Sequence, residues 1–346
     1  MTNTPELPGT VLHGKMGVMG KRIAVALLLA GPWFWASLAL LCFPALPERV
    51  ALVLGCAALA GFPAGAWFTR LSPAWLTATG GFAGAVALAF LTLTPQNDRD
   101  WRPEQERLAR VEVADDGFIV VHFRNAAVGP GGVLEPAWEE ARFSLGELER
   151  VDYVHALLTS GGAAAHGFLS FGFADGRHLA VSVEARRRRG RDYSPFRGLF
   201  RNYELIYVLG AEPDLIGSRA AGRLPVYLYP LRATPAQARD LFLSLADKTN
   251  QLAGEPEFYH TVTNNCVTTL RRHVGESIGL RIRPSWRILL SGYADELLLN
   301  RKWIDHEGSL ASARERFQVN ERAAAASLEG AEWSARIRAE PEGPGR

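Results

Sequence analysis

Apolar positions divide the chain into an N-terminal third without polar alternation and a remainder with regular alternation. Between Arg22 and Asp98 the charged residues are Glu48, Arg49 and Arg70. A helix needs about 20 apolar residues to cross a hydrocarbon core of roughly 30 Å. Three runs have that length, at 23–43, 50–68 and 73–94. The pattern predicts a transmembrane region over 23–94, preceded by a cytoplasmic tail over 1–22.

A cleaved signal peptide is the alternative interpretation of the first run. The run is longer than a signal peptide requires, and two more runs follow it. The prolines Pro32 and Pro63 would kink or shorten a helix, and the tryptophans in these runs are candidates for the membrane interface.

Basic residues near the runs predict the orientation. Lys15, Lys21 and Arg22 precede the first run, and Arg70 lies between the second and third. Positively charged flanks stay in the cytoplasm, so three crossings place the following domain in the periplasm. The predicted location is the bacterial inner membrane, with several spans. Two crossings would reverse the orientation.

The remainder of the chain reads as strands followed by helices. Residues 108–123 alternate around an Asp-Gly turn, which predicts a β-hairpin. Further strands are predicted at 150–155, 166–173, 179–184, 203–209 and 225–231, and helices from 234–235, from 264–265 and over 285–300. This order favours an α+β domain. We predict the domain over 95–320 and a mobile tail over 321–346.

Charge and cysteine content exclude several functions. The formal net charge is +2, which does not indicate a nucleic-acid partner. Cys42 and Cys56 lie in the apolar third and Cys266 in the remainder, so they predict no disulfide framework. No Cys/His spacing suits a metal, and no metal or other cofactor is predicted.

Cys266 is the first candidate for chemistry. Asn264 and Asn265 precede an apolar-periodic run, as helix N-caps do, so Cys266 is expected in the first helical turn. Free backbone N–H groups there favour the thiolate, the nucleophilic form. The alternative is a small buried hydrophobe, a common role for cysteine.

His166 opens a predicted strand, and Glu184 ends the next one. In an antiparallel hairpin these two positions are neighbours, so the carboxylate could orient the imidazole. The alternatives are a half-buried strand histidine and a glutamate paired with the arginines that follow it. Tyr259 is a core residue or a contact to an oxyanion or substrate.

Seven arginines between 186 and 201 form the densest positive stretch. A solvated or salt-bridged loop is the favoured interpretation. Contact with anionic lipid headgroups is the functional alternative.

The order of histidine, hairpin, polar residue and Cys-first helix resembles a papain-like site in permuted chain order, as in NlpC/P60 and lecithin retinol acyltransferase relatives. Blocks such as HGFLSFGFADGRHLAVSVEAR, YSPFRGLFRNYELIYV and TNNCVTTLRRH, spread over roughly 98–319, resemble the Lnb N-terminal periplasmic domain family. The type member of that family is a lipoprotein intramolecular transacylase. Unlike it, this chain has its spans before the domain.

The resemblance implies thiol acyl transfer. Cys266 would attack a carbonyl, His166 would carry the proton and Glu184 would orient His166, while Asn264, Asn265 or Tyr259 would contact the oxyanion or substrate. The expected substrates are acyl groups of lipoproteins or membrane lipids. Two alternatives stay open: a cell-wall cysteine peptidase or amidase acting on peptidoglycan, and a non-catalytic envelope scaffold.

Overall fold

The computed structural model describes residues 9–114, 116–128, 134–324 and 330–340. The chain divides into two compact units. One comprises Met1–Thr94 with Phe200–Asn202, and the other comprises Pro95–Leu199 with Tyr203–Arg346.

The first unit contains three long helices, α1 (Gly9–Leu41), α2 (Glu48–Thr69) and α3 (Pro73–Leu91). Each is long and apolar enough to cross a membrane, α1 over Val18–Leu41 and the others over their full length. The prediction of three candidate spans is therefore confirmed. The described part of the segment predicted as a cytoplasmic tail over 1–22 is helical, because α1 begins at Gly9.

Pro32 and Pro63 lie inside α1 and α2 and do not end them. Trp33, one of the tryptophans proposed for the membrane interface, contacts both of the other helices. Its ring centroid lies 4.4 Å from that of Phe82, and its indole N–H donates to the Ala58 carbonyl at 2.8 Å.

The second unit is built on an eight-stranded sheet among its described residues, in the order β1-β2-β9-β8-β7-β6-β10, with β5 also pairing with β2. The strands are β1 (Arg110–Ala114), β2 (Gly117–Arg124), β5 (Trp138–Ser144), β6 (Leu148–Leu157), β7 (Ala165–Phe173), β8 (His178–Arg186), β9 (Glu204–Gly210) and β10 (Val226–Pro230). β3 (Ala127–Val128) and β4 (Leu134–Glu135) form a separate pair. The predicted hairpin and the five further predicted strands are confirmed. β5 was missed, because its sequence WEEARFS alternates too weakly to read as a strand.

Eight helices follow or flank the later strands in the described residues. They are α4 (Ser218–Ala220), α5 (Pro235–Gly254), α6 (Cys266–Ser277), α7 (Trp286–Leu289), α8 (Ala294–Asn300), α9 (Leu310–Phe317), α10 (Asn320–Ala324) and α11 (Gly330–Arg338). Thr234 caps α5 through a reciprocal pair of hydrogen bonds with Gln237, which is why the helix begins where Pro235 predicts. The single helix predicted over 285–300 is wrong: a short 3₁₀ turn at Ser291–Tyr293 separates α7 from α8.

The sheet has an apolar cluster on each face. The cluster that contains Phe171 packs against α5 and α6, with Phe242 and Cys266 among its members. The cluster on the other face contains Phe168 and Trp333. The domain is therefore a mixed α+β structure with helices on both faces of one sheet.

The mobile tail predicted from residue 321 is wrong for residues 330–338. Trp333 and Ile337 of α11 are buried in the second cluster. Arg338 donates hydrogen bonds to two fully buried carboxylates, those of Asp152 and Glu212. The sequence of this segment does not indicate packing, because the few buried residues of α11 find their apolar and ionic partners only on the folded sheet.

Candidate active site

Cys266 is the first residue of α6, as predicted. The Asn265 carboxamide oxygen accepts a hydrogen bond from the Thr268 N–H at 2.8 Å, and the Thr268 hydroxyl accepts one from the Asn265 N–H at 2.9 Å. This capping box ends the extended segment before the helix and fixes the direction in which α6 starts. The Cys266 thiol is thereby held at the N-terminus of a twelve-residue helix.

The thiol is buried, and burial raises its pKa. The backbone N–H groups of Gly167, Val267 and Cys266 itself act in the opposite direction but do not outweigh burial. The expectation that the helix start favours the thiolate is therefore right in sign for the N–H groups and wrong for the net effect. Burial destabilises the thiolate by removing it from water, and this effect is larger than the stabilisation that the three backbone N–H groups provide.

The thiol reaches Gly167 because the sheet opens at this point. The ladder between β7 and β8 pairs Leu169–Gly172 with His178–Val181, although both strands continue further at this end of the sheet, to Ala165 and Arg186. Continued by three residues, the register would align His166 with Glu184, the neighbours that the sequence predicted. The opening leaves the Gly167 N–H available to the sulfur of Cys266.

His166 and Glu184 do not share a hydrogen bond. The His166 Nε2 to Glu184 Oε1 distance is 3.9 Å, and the Ser182 hydroxyl lies between them. Ser182 Oγ is 2.7 Å from His166 Nε2 and donates to Glu184 Oε1 at 2.8 Å. Direct orientation of His166 by Glu184 is replaced in the structure by a contact through Ser182.

Glu184 is also held by two other groups. Arg219 donates to its Oε1 at 2.7 Å, and Gln105 donates to its Oε2 at 2.8 Å. Burial would raise the pKa of Glu184, but Arg219 and Arg124 more than offset that effect, so the pKa lies well below its ordinary value. The carboxylate is therefore ionised at neutral pH.

The pKa of His166 is lowered to about 3, chiefly by burial and in part by the Arg219 cation, while Glu184 opposes the change. Together with the raised pKa of Cys266, this makes the resting pair a neutral thiol and a neutral imidazole. No hydrogen bond joins the thiol to the imidazole in the described residues, so the site holds no preformed thiolate–imidazolium ion pair.

One cavity of about 420 Å³ contains the predicted residues. Cys266, His166 and Glu184 line it, and Tyr259 and Asn265 do so as well. The rest of its wall includes Gln105, Leu158, Arg187, Tyr193, Arg219, Leu289 and Leu290. Side chains that are far apart in the sequence thus share one opening at the point where β7 and β8 separate.

The asparagines before Cys266 serve the backbone. The Asn264 carboxamide donates to the Phe258 carbonyl at 2.9 Å, and Asn264 is not among the described residues that line the cavity. Asn265 lines the cavity, but its carboxamide donates to the Thr261 carbonyl at 2.5 Å and its oxygen caps α6. The Tyr259 hydroxyl lies 3.0 Å from that of Tyr193.

The arginine run begins with a structural residue. Arg186 is buried, its guanidinium lies 4.2 Å from the Trp101 ring centroid, and it donates to the Gln105 carbonyl at 2.9 Å. Arg187 pairs with Glu104 at 3.4 Å, and Arg189 pairs with Asp100 at 3.0 Å. The interpretation of this stretch as a salt-bridged loop is confirmed for these members.

Residues 135–292 match the family model of the Lnb N-terminal periplasmic domain. The match contains His166, Ser182, Glu184 and Cys266, and ends in the turn after α7. This stretch of the chain is therefore similar to the Lnb N-terminal periplasmic domain family. Together with the three apolar helices near its N-terminus, this domain indicates a membrane-anchored protein. Neither the curated proteins nor the solved structures contain a match to this chain.

Three candidate functional residues were not predicted from the sequence. Ser182, Gln105 and Arg219 connect His166 and Glu184 to the rest of the protein. A signal existed for Ser182, since it lies two residues before Glu184 and therefore on the same face of the strand. Gln105 and Arg219 are distant in sequence from Glu184, and only the fold brings them to it.

Proposed function

We propose that this protein is a membrane-anchored thiol acyltransferase or acyl hydrolase of the cell envelope that acts on lipid or lipoprotein acyl groups. The observation that carries the proposal is the shared cavity, which is lined both by a cysteine at a helix N-terminus and by a histidine. We also propose that the domain has a permuted papain-like arrangement, because its histidine strand precedes its cysteine helix.

The chemistry follows from the neutral resting pair. The Cys266 sulfur forms a bond to the carbonyl carbon of an ester while His166 takes the thiol proton. The carbon–oxygen bond of the ester then breaks, and the leaving alkoxide receives the proton from the imidazolium. A thioester on Cys266 remains, and an amine or water attacks it in the second step.

The developing oxyanion needs donors near the sulfur. The N–H groups of Cys266, Val267 and Gly167 approach the thiol, so they are the donors nearest to the reacting carbon. The Tyr259 hydroxyl, which lines the same cavity, is a further candidate. The Asn264 carboxamide is a weaker candidate, since it donates to a backbone carbonyl.

The rim of the cavity favours an acyl substrate over a peptide. Leu158, Leu289 and Leu290 line the cavity and are between 44% and 53% exposed. Exposed leucines around a buried thiol provide an apolar surface for a hydrocarbon chain. A site for the stem peptides of the cell wall would need polar groups along this rim instead.

The test uses the full chain purified in detergent and returned to phospholipid vesicles. Wild type, Cys266→Ala and the matched control Cys56→Ala, which removes an exposed thiol of α2, are incubated with diacyl phospholipid and with an acceptor lipopeptide that has a free N-terminal amine. A separate incubation of each protein contains peptidoglycan. Intact-protein and peptide mass spectrometry follow the mass of Cys266 and of the acceptor.

We expect an acyl adduct on Cys266 and acylated lipopeptide, or free fatty acid, with wild type and Cys56→Ala, and neither with Cys266→Ala. Release of stem-peptide fragments from peptidoglycan without any lipid turnover would replace the proposal with the peptidase alternative. A wild-type protein that leaves all three substrates unchanged would favour the scaffold.

A further inference from the structure

Ser182 lies at the centre of β8 and is fully buried, an unusual place for a hydroxyl group. Its oxygen contacts two partners, His166 Nε2 at 2.7 Å and Glu184 Oε1 at 2.8 Å. The sequence analysis predicted no role for Ser182, and the acyl-transfer scheme does not use its hydroxyl group. The protonation states of the partners decide what this contact does.

The Glu184 carboxylate is ionised, because neighbouring arginines hold its pKa below the ordinary value. An ionised carboxylate only accepts hydrogen bonds, so the single Ser182 proton must point to Glu184. The Ser182 oxygen then has only lone pairs left for His166. The short contact to Nε2 is therefore a hydrogen bond in which Nε2–H donates to Ser182.

A neutral imidazole carries one proton, and Ser182 places that proton on Nε2. Nδ1 is then the nitrogen with the free lone pair, and within the described residues it makes no hydrogen bond. We infer that Ser182 is a positioning residue that transmits the charge of Glu184 to His166 and fixes the imidazole in the Nε2–H tautomer, with Nδ1 as the base. This inference rests on the proposed function only for its catalytic consequence.

The same contacts also stabilise the protonated, positively charged form of His166. When Nδ1 takes the thiol proton, the imidazolium keeps its Nε2–H bond to Ser182, whose own proton stays on the Glu184 side. Charge on the ring is then stabilised through Ser182 without any proton reaching Glu184. Arg219 and Gln105 hold the carboxylate in place meanwhile.

A matched control is available on the neighbouring strand. Ser170 of β7 is also fully buried and donates to a buried carboxylate, that of Glu212. Ser170→Ala therefore removes the same kind of hydrogen bond from the same sheet without touching His166. Ser182→Thr keeps the hydroxyl and serves as the conservative rescue.

The tautomer is read directly by ¹⁵N NMR of the full chain in detergent, with ¹⁵N-labelled histidine and His166→Gln to assign the signals. We expect wild type, Ser182→Thr and Ser170→Ala to show a protonated Nε2 and an unprotonated Nδ1 at His166. Ser182→Ala should show a mixture of tautomers or protonated Nδ1. Protonated Nδ1 in wild type, or an unchanged spectrum in Ser182→Ala, would overturn the inference.

Acyl transfer supplies the second readout. Ser182→Ala removes a hydrogen bond that supports a charged group, so its first-step rate should fall roughly 10- to 100-fold, with Ser170→Ala near wild type. A protein without any transfer activity would refute the proposed function while the NMR result still decides the tautomer. Equal rates for the two alanine variants would contradict the positioning role.

Discussion

Two buried serine–carboxylate pairs lie on the same sheet and have different consequences. Ser182 donates to Glu184, which Arg219 also binds, and Ser170 donates to Glu212, which Arg338 also binds. In the first pair Ser182 also contacts His166, which lines an open cavity. In the second pair Glu212 also binds Arg338 of α11, near the C-terminal end of the chain. The same kind of hydrogen bond thus lies beside the candidate site in one pair and holds α11 in the other.

The difference comes from what surrounds each pair. Beside Ser182 the strands separate and leave room for α6 and its thiol. Beside Ser170 the strands remain paired, and the guanidinium of Arg338 binds both Glu212 and Asp152. The proposed chemical role therefore belongs to the pair beside the interruption in the sheet, where a cavity gives access to the side chains.

The largest expected effect is a loss of stability when Arg338 of α11 is replaced. Arg338→Ala leaves the buried Glu212 carboxylate without this cation and leaves Asp152 with Arg150 alone. Removing one partner of a buried ion pair costs about 3–5 kcal/mol. Urea unfolding of the full chain in detergent measures the loss. A decrease below 1 kcal/mol would show that α11 does not fasten the sheet.

Cysteine alkylation tests the protonation state of the Cys266 thiol in the candidate site. Because burial raises the pKa of Cys266, its alkylation by iodoacetamide at pH 7.5 should be slower than that of free cysteine, whose pKa is about 8.5. The rate should continue to increase with pH above that value. The double variant Cys42→Ala/Cys56→Ala leaves Cys266 as the one remaining thiol and isolates its signal. Faster alkylation than free cysteine would show a thiolate stabilised in the resting state.

Acid should lower the stability of the fold through its buried histidines. The pKa of His166 is lowered to about 3 and that of His155 to about 4, in both cases chiefly by burial. Both are neutral in the fold at pH 5, whereas the unfolded chain, with histidine pKa near 6.5, binds protons there. Their stabilisation is thus complete above about pH 6.5 and is lost as the pH falls toward 3.

Thermal unfolding between pH 7.5 and 4.5 measures this loss. His155→Phe keeps the ring size and removes one titrating group, so its melting temperature should fall less with acid than that of wild type. Parallel curves for the two proteins would contradict the assignment.

The smallest expected effect concerns Arg219. Its cation lowers the pKa of His166, so Arg219→Gln should raise that pKa in an NMR titration. Arg338→Gln is the control, since Arg338 does not act on His166. An unchanged or lower His166 pKa in Arg219→Gln would show that the charge balance at Glu184 is set elsewhere.

The sequence by itself determined the three long apolar helices, the order of strands before helices, and the positions of Cys266, His166 and Glu184 at the ends of their elements. Each of these depends on local periodicity or on a cap, which neighbouring residues encode. The family resemblance was also readable, because its blocks are contiguous.

Only the tertiary structure decided that Ser182 stands between His166 and Glu184, that α11 is packed, and that the thiol is neutral. These properties depend on residues far apart in the chain, such as Arg219 and Arg338, and on how much water the fold excludes from Cys266. Desolvation and long-range ion pairs have no local pattern, so no sequence window can predict them.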